Sequence, residues 1–363
     1  METLIRNALV DYMKENKLFS SQQYGFLNGR STVLQLLKVL DRWTEILDHG
    51  GAVDIIYCDF MKAFDRVPHA RLIDTLHHYS IEDPVLSWIE AFLKDRKQRV
   101  IVNGRNSNWY DVLSGIPQGS VLGPILFVIY INSLPSTVEH SEVYLFADDT
   151  KIFKGIFSDK DKYDLQSDLD QMQVWSEKSL LLFHPDKCVS MRVGKSDVEF
   201  GYTMGPNKQF LRTVTHGKDI GVIIDENLNF ELHLTSKINK ANQIMGLIRR
   251  TYEFIDEETF LLLFKALVRP HIEYANQVWA PHLKKHITEI ENVQRRATKL
   301  IPGFKELTYE QRLRRLKLPT LAYRRLRGDM IEMFKIATGK YDADVSSFIN
   351  PRTNALRGHQ FKL

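Results

Sequence analysis

The strongest strand signal in this 363-residue chain is an apolar run that ends in an acid. Residues 52–59 read Ala-Val-Asp-Ile-Ile-Tyr-Cys-Asp, and their β-branched and aromatic side chains favour a buried strand. A carboxylate at the end of such a strand lies at the edge of a hydrophobic core, which is costly unless the charge is paired or bound to a metal. Asp59 is therefore a candidate functional residue.

A second acidic feature is the segment Phe146-Ala147-Asp148-Asp149. It lies between two short β-rich runs, residues 143–147 and 150–153, and predicts two strands separated only by Asp148-Asp149. Two-residue turns favour Asn-Gly or Asp-Gly, and adjacent acids repel each other, which raises at least one pKa unless a cation neutralises them. An exposed acidic loop is the alternative. If the strand ending at Asp59 lies next to this hairpin, all these carboxylates meet at one place, where a divalent cation would neutralise them.

Strand and helix patterns are mixed up to about residue 230, and strand signals nearly vanish after it. This predicts an α+β fold with a boundary near residues 225–227. Asn103-Gly104 predicts a hairpin turn, and residues 189–193 and 220–224 are predicted strands. Asp256 is expected to begin a helix that stops before Pro270.

The charge of the chain is unevenly distributed. The net charge is +4 overall, but residues 1–230 carry −6 and residues 231–363 carry +10. A basic helical region suits a polyanionic partner, and a solvated Arg-rich surface is the alternative interpretation.

Other features exclude several classes of protein. The two cysteines, Cys58 and Cys188, are far apart, which argues against a disulfide framework and for a reducing compartment. The N-terminus lacks the pattern of a signal peptide, and the longest apolar run, residues 121–131, is too short to span a bilayer. We therefore expect an intracellular protein, in the nucleus or cytoplasm, that is not secreted and has no membrane partner.

Three segments, in this order, resemble catalytic motifs of polymerases. Residues 57–67 (YCDFMKAFDRV) resemble motif A, residues 114–124 (SGIPQGSVLGP) motif B, and residues 146–149 (FADD) motif C. Almost the entire chain resembles the reverse transcriptase of non-LTR (LINE-type) retrotransposons, especially the jockey and chicken-repeat-like group. Further segments carry the likeness, namely Gln23-Tyr-Gly-Phe, residues 219–224, 268–274 and 293–299.

The resemblance implies an RNA-directed DNA polymerase, a nucleotidyltransferase that adds dNTPs to the 3′-hydroxyl of a DNA primer on an RNA template. It implies a right-hand fold with partial fingers at residues 1–50, a mixed α/β palm at 51–230, and an all-α thumb with a C-terminal extension at 231–363. Two Mg²⁺ ions are the expected cofactors, with Mn²⁺ as a possible substitute. The sequence does not indicate the oligomeric state.

The resemblance also assigns roles at the catalytic acids. Asp59 and Asp148 would be the principal metal ligands, Asp149 a supporting acid, and the Phe60 carbonyl a further ligand. Lys187 matches the lysine expected to protonate pyrophosphate, although His184 stands where this family usually has Asn. An exposed lysine without that role is the alternative.

Further roles concern the nucleotide and the duplex. Phe64 matches the aromatic steric gate against a ribose 2′-hydroxyl, with an ordinary core phenylalanine as the alternative. Gln118 would contact the incoming nucleotide, and Gly119 would allow its close approach. Basic residues in the thumb would contact phosphates, or would simply be solvated charges: Arg249, Arg250, Arg295, Arg296 and Lys299.

The chain also departs from the family pattern. Leu27 stands where an arginine is common, and the upstream Arg-Pro fingers segment and the endonuclease of full elements are missing. Residues 357–363 end where relatives continue, so the sequence suggests a chain truncated at both ends. From this we expect a poor polymerase. The alternatives are a nucleic-acid-binding remnant without turnover and a structural partner in polymerase complexes.

Overall fold

The computed structural model describes residues 1–195 and 200–342, which divide into two compact units. The first unit comprises Met1–Gln35 and Asp41–Thr215, and the second comprises Leu36–Leu40 and the chain from His216 onward. The division in sequence falls upstream of the boundary predicted near residue 230. The assignment of fingers, palm and thumb remains a prediction.

The first unit mixes helices and strands. Its helices are α1 (Glu2–Glu15), α2 (Thr32–Asp48, shared with the second unit), α3 (Ala63–Arg66), α4 (His69–His78), α5 (Val85–Leu93), α6 (Gly123–Ile131), a 3₁₀ turn (Leu134–Thr137) and α7 (Asp159–Ser179). Its strands are β1 (Ala52–Cys58), β2 (Lys97–Gln98), β3 (Ile101–Val102), β4 (Arg105–Asn106), β5 (Tyr110–Asp111), β6 (Glu142–Phe146), β7 (Asp149–Ile156), β8 (Val189–Val193), β9 (Thr203–Met204), β10 (Gln209–Phe210) and β11 (Arg212–Val214).

A five-stranded sheet in the order β11-β8-β1-β7-β6 is the centre of this unit. β1 is antiparallel to both β7 and β8, and its residues alternate between two covered faces. On one face, Ile56 belongs to the core cluster that includes Phe127 of α6 and Leu169 of α7. On the other face, Ile55 lies opposite Phe153, whose ring meets the edge of the Trp43 ring in α2. Burial on both faces explains why the β1 run is apolar almost throughout.

Hairpin predictions in this unit were partly confirmed. The turn Asn103-Gly104 joins β3 and β4, and both residues have the positive φ that such turns require. The predicted strand at residues 189–193 is β8.

The position of the acidic turn was predicted wrongly by one residue. Phe146 pairs with Asp149 across the β6–β7 hairpin, so the turn residues are Ala147 and Asp148. Ala147 takes the positive φ, 56°, while Asp149 is already the first residue of β7. Sequence patterns cannot place this turn, because contacts from elsewhere in the chain stabilise the left-handed alanine.

The second unit begins with a hairpin, and its other regular elements in the described range are helices. The strands are β12 (His216–Asp219) and β13 (Val222–Asp225). The helices are α8 (Glu231–Thr251), α9 (Glu257–Leu263), a π-helical turn (Phe264–Val268), α10 (Arg269–Glu273), α11 (Asn276–Trp279), α12 (Lys284–Ala297), 3₁₀ turns (Thr298–Leu300 and Phe304–Glu306), α13 (Tyr309–Leu316) and α14 (Leu321–Ala337).

Two predictions in the second unit were wrong. The strand expected at residues 220–224 is interrupted by a turn at Ile220-Gly221, where both residues have positive φ, and β12 and β13 pair on either side. The helix that Asp256 caps does not stop before Pro270. It passes through the π-helical turn into α10, where Pro270 lies in the first turn and its missing N–H is tolerated.

None of the helices within residues 1–195 and 200–342 combines the length and apolar character needed to cross a bilayer.

A partly buried ion pair links β1 to β8 in the central sheet. Arg192 donates two hydrogen bonds to Asp54, 2.5 Å and 2.7 Å long, and the Tyr202 hydroxyl donates a third at 2.6 Å. The Asp54 side chain is only 3% exposed. Because Arg192 and Tyr202 both donate to this one carboxylate, removing it takes an acceptor from each of them.

We predict that Asp54→Ala lowers the free energy of unfolding by about 1–3 kcal/mol, the usual cost of removing the acceptor of buried hydrogen-bond donors. Urea denaturation followed by circular dichroism measures this. Asp41→Ala, at an exposed position of α2, is the control. Equal losses in the two variants would show that the Asp54 network adds nothing.

Candidate active site

Strand pairing places Asp59 next to the β6–β7 hairpin. The last pair between β1 and β7 joins Cys58 to Thr150, so Asp59 leaves β1 where Asp149 enters β7. Asp148, in the turn, is half-buried. Desolvation by the surrounding protein raises the pKa of Asp148 above its ordinary value, against a hydrogen bond from its own backbone, and the charge of Asp59 raises it further.

The carboxylates of Asp59 and Asp148 interact electrostatically, and Asp149 follows Asp148 directly in the sequence. Asp149 is exposed and pairs through its backbone with Phe146. Within the described ranges, no three His, Cys, Asp or Glu side chains lie close enough together to hold a metal ion by themselves. Mg²⁺ is usually held by one or two carboxylates, with substrate phosphates and water as the other ligands. Asp148 is half-buried and Asp59 is exposed, and two such carboxylates beside open solvent fit that mode of binding.

The loop that precedes β8, residues 184–188, contacts the backbone of Asp59. The carbonyl of Asp59 accepts a hydrogen bond from the His184 amide, 2.7 Å, and its amide donates to the Cys188 sulfur, 3.3 Å. Lys187 places its Nζ 3.8 Å from Oδ1 of Asp59. The structure therefore brings Lys187 close to Asp59. The His184 contact uses the backbone amide, so it does not depend on the asparagine that the family usually has at this position.

The loop at residues 114–119 is held against the segment that follows Phe60. The amides of Gly115 and Ile116 donate to the carbonyls of Val67 and Phe64, each at 2.8 Å. Gly115 has φ +89°, and a Cβ there would lie 2.6 Å from the Asp65 carbonyl oxygen, so this approach requires glycine.

Gln118 and Gly119 lie at the exposed end of that loop. Nε2 of Gln118 donates to Oδ1 of Asp65 at 2.9 Å, which connects the loop to the segment carrying Asp59. Gly119 has φ +87°, and a Cβ there would meet nothing within 4 Å among the described residues. The backbone at Gly119 is thus open to close approach.

The two candidate aromatic residues have different surroundings. Phe60 is buried and stacks on Phe183 with ring centroids 4.4 Å apart. Phe64 is half-buried, stacks on Phe127 at 4.2 Å and meets the Phe26 ring edge at 6.3 Å. Phe64 is therefore supported by the core while part of its ring remains accessible.

The candidate phosphate-binding residues all belong to the second unit and are all exposed. Arg249 and Arg250 lie in the last turn of α8, Arg295 and Arg296 in the last turn of α12, and Lys299 in the 3₁₀ turn that follows. The Arg295 guanidinium lies 4.1 Å from the centre of the Tyr309 ring, which fixes its direction.

Two residues that sequence analysis did not single out organise the site. Asp65 accepts from Gln118 through its carboxylate and from Ser114 through its carbonyl. Gln23 contacts the acidic turn through both ends of its amide. Each lies in a segment that carries the family resemblance, but only the three-dimensional contacts reveal what it holds. Leu27, in the position of the expected arginine, is buried in the core.

Comparison with known proteins supports the interpretation of these motifs. Residues 1–223 match the family described as reverse transcriptase (RNA-dependent DNA polymerase). The RNA-directed DNA polymerase from mobile element jockey of Drosophila funebris is 28% identical over 84% of this chain, and 34% of that protein is covered. The probable RNA-directed DNA polymerase from transposon X-element of Drosophila melanogaster is 25% identical, with 88% and 36% covered. The chain thus spans about a third of the length of these curated relatives.

One solved structure with the same general fold is apo telomerase from Candida tropicalis. It aligns with a TM-score of 0.51 at 10% identity, covering 96% of this chain and 55% of that one. At this identity the likeness concerns the fold alone. The prediction of a mixed α+β fold is confirmed, and so is the resemblance to the jockey-like polymerases.

The raised pKa of Asp148 predicts a pH-dependent effect on stability. Folding favours the protonated carboxyl, so its contribution is present at low pH and is lost as pH rises through the folded-state pKa. We therefore expect Asp148→Asn to melt at a higher temperature than the parent at pH 7 in EDTA, with the difference shrinking towards pH 4. Calorimetry beside the exposed-site control Asp11→Asn measures this. A variant less stable than the parent at pH 7 would contradict the claim that desolvation and the charge of Asp59 make the ionised Asp148 unfavourable in the folded protein.

Proposed function

Because the chain belongs to the reverse transcriptase (RNA-dependent DNA polymerase) family, we propose that it adds deoxynucleotides to the 3′-hydroxyl of a DNA primer, copying an RNA template. The observation that carries this proposal is that the pairing of β1 with β7 brings the exposed Asp59 close enough to the half-buried Asp148 to raise its pKa. We assign residues 1–50 to partial fingers, 51–230 to the palm and the chain from 231 to the thumb.

The acids would act through divalent cations. Asp59 and Asp148 would hold two Mg²⁺ ions, or Mn²⁺, with Asp149 and the Phe60 carbonyl in supporting positions. When bound, these ions activate the attacking hydroxyl and neutralise charge on the leaving pyrophosphate. The residues themselves supply fixed negative charge, and the protein around Asp148 keeps part of that charge out of water.

Other residues would position the nucleotide. Gln118 would contact it from the loop that Asp65 secures, and the open backbone of Gly119 would allow it to approach. Phe64, supported from behind by Phe127, would fill the space beside C2′ and exclude a ribose hydroxyl. Lys187 lies beside Asp59, where its ammonium could donate a proton to pyrophosphate.

Nucleic-acid binding without turnover is a second candidate function. The exposed basic residues at the ends of α8 and α12 favour it, because phosphate contacts need only accessible positive charge. Arg249, Arg250, Arg295, Arg296 and Lys299 are the proposed contacts. A chain that binds primer–template and does not extend it would have this second function.

We predict that Asp59→Asn and Asp148→Asn each lower primer extension with Mg²⁺ by roughly a thousandfold, about 4 kcal/mol of barrier, because each removes a charge that holds a catalytic cation. Single-turnover extension on an RNA template measures the rate, and filter binding shows whether primer–template affinity survives. Asp11→Asn is the matched control. Near-parent rates in either acid variant would refute the assignment.

We predict that Phe64→Ala lowers discrimination between dNTPs and rNTPs by at least about tenfold in kcat/KM, or 1.4 kcal/mol, because the space beside C2′ is no longer filled. Phe92→Ala is the matched control, since Phe92 of α5 is also half-buried and stacked, on Trp88, and we do not place it beside the sugar. Unchanged discrimination by a folded Phe64→Ala protein would make Phe64 an ordinary core residue.

A further inference from the structure

The buried side chain of Gln23 holds the turn that carries Asp148. Its Oε1 accepts hydrogen bonds from the amides of Ala147, at 2.9 Å, and Gly25, at 2.8 Å. Its Nε2 donates to the Ala147 carbonyl at 3.3 Å. The side chain is 1% exposed, so these bonds form away from water. One amide thus satisfies both backbone polar groups of a single turn residue.

Ala147 needs such support because its conformation is unfavourable. Its φ of 56° lies in the left-handed region, where a side chain crowds the backbone and glycine or asparagine is preferred. Ala147 is also buried, so its amide and carbonyl would lack partners if the Gln23 amide were absent. The hairpin's own residues therefore do not explain why this turn is stable.

The segment that carries Gln23 is itself fixed to the same hairpin. The Leu145 amide donates to the Gln22 carbonyl at 2.9 Å, and the Tyr24 amide donates to the Leu145 carbonyl at 2.8 Å. Arg30 donates to the Gln23 carbonyl at 2.5 Å. The segment thus forms a single parallel bridge with β6, which places the Gln23 amide at the turn.

Gly25 permits this close approach. A Cβ at Gly25 would lie 2.4 Å from the Ala147 nitrogen, a distance that only glycine avoids. The backbone of the segment is therefore packed directly on the turn, and a small increase in side-chain size there would push the two apart.

We propose that Gln23 is a positioning residue, which directs the Asp148 carboxylate towards Asp59 by fixing the conformation of Ala147. Asp148 follows Ala147 directly, so a rotation of the Ala147 backbone would redirect its side chain. Gln23 itself would touch neither substrate nor cation. The role of Asp148 in cation binding rests on the proposed function, whereas the hold of Gln23 on the turn does not.

The test compares Gln23→Met with Gln22→Met. Methionine matches the length of glutamine and lacks its hydrogen-bonding groups, and the Gln22 side chain bonds to the Ser20 and Ser21 hydroxyls, not to the turn. Hydrogen exchange of the Ala147 and Asp148 amides, measured by mass spectrometry, reports the turn. Mn²⁺ titration followed by electron paramagnetic resonance reports the cation site without requiring turnover.

We expect Gln23→Met to exchange the turn amides about tenfold faster, the effect of losing one buried hydrogen bond or more, and to bind Mn²⁺ several-fold more weakly. Gln22→Met should match the parent in both measurements. Gly25→Ala pushes the same segment away from the turn and should reproduce both changes although Gln23 is retained. If Gln23→Met does not fold, the measurements on Gly25→Ala decide whether this segment fixes the turn.

Unchanged exchange and Mn²⁺ affinity in Gln23→Met and Gly25→Ala would overturn the proposal. Equal losses in Gln23→Met and Gln22→Met would also overturn it, since the effect would then be general damage to the segment. An Asp148→Asn variant that binds Mn²⁺ as tightly as the parent would instead refute the metal site of the proposed function. In that case the exchange of the turn amides still decides whether Gln23 holds the turn.

Discussion

The antiparallel register of β1 and β7 is the constraint on which the candidate site depends. Side chains alternate between the two faces of the sheet, so a slip of one residue would move Ile55 and Ile56 to the wrong faces and disrupt both buried layers. The same register fixes Asp59 beside the Asp148 turn. The packing of the hydrophobic core against β1 therefore keeps two carboxylates near each other although their charges repel.

The loops around these acids are held by hydrogen bonds to segments that are distant in sequence. The loop ending in Gln118 is attached to the segment after Asp59 through Gly115, and the acidic turn is attached to the segment before α2 through Gln23. Close backbone approach at Gly25 and Gly115 makes both attachments possible. Glycine in these segments thus reflects packing between loops that are far apart in sequence.

Sequence alone predicted the features that local chemistry determines. The apolar run of β1, the Asn103-Gly104 turn and the mixed α+β fold follow from periodicity and turn propensity. It placed the acidic turn one residue too late, because the left-handed Ala147 depends on Gln23, more than a hundred residues away in the chain. It ended a helix at Pro270, because a π-helical turn that accommodates the proline has no clear sequence signature.

The central claim is that Asp59 and Asp148 bind a cation together. Anomalous diffraction from crystals of the protein soaked in Mn²⁺ tests this directly, since the scattering of manganese locates the ion independently of the surrounding density. The account predicts a strong anomalous peak within coordination distance of a carboxylate oxygen from each of the two residues. Manganese bound elsewhere, or in contact with only one of these carboxylates, would contradict it.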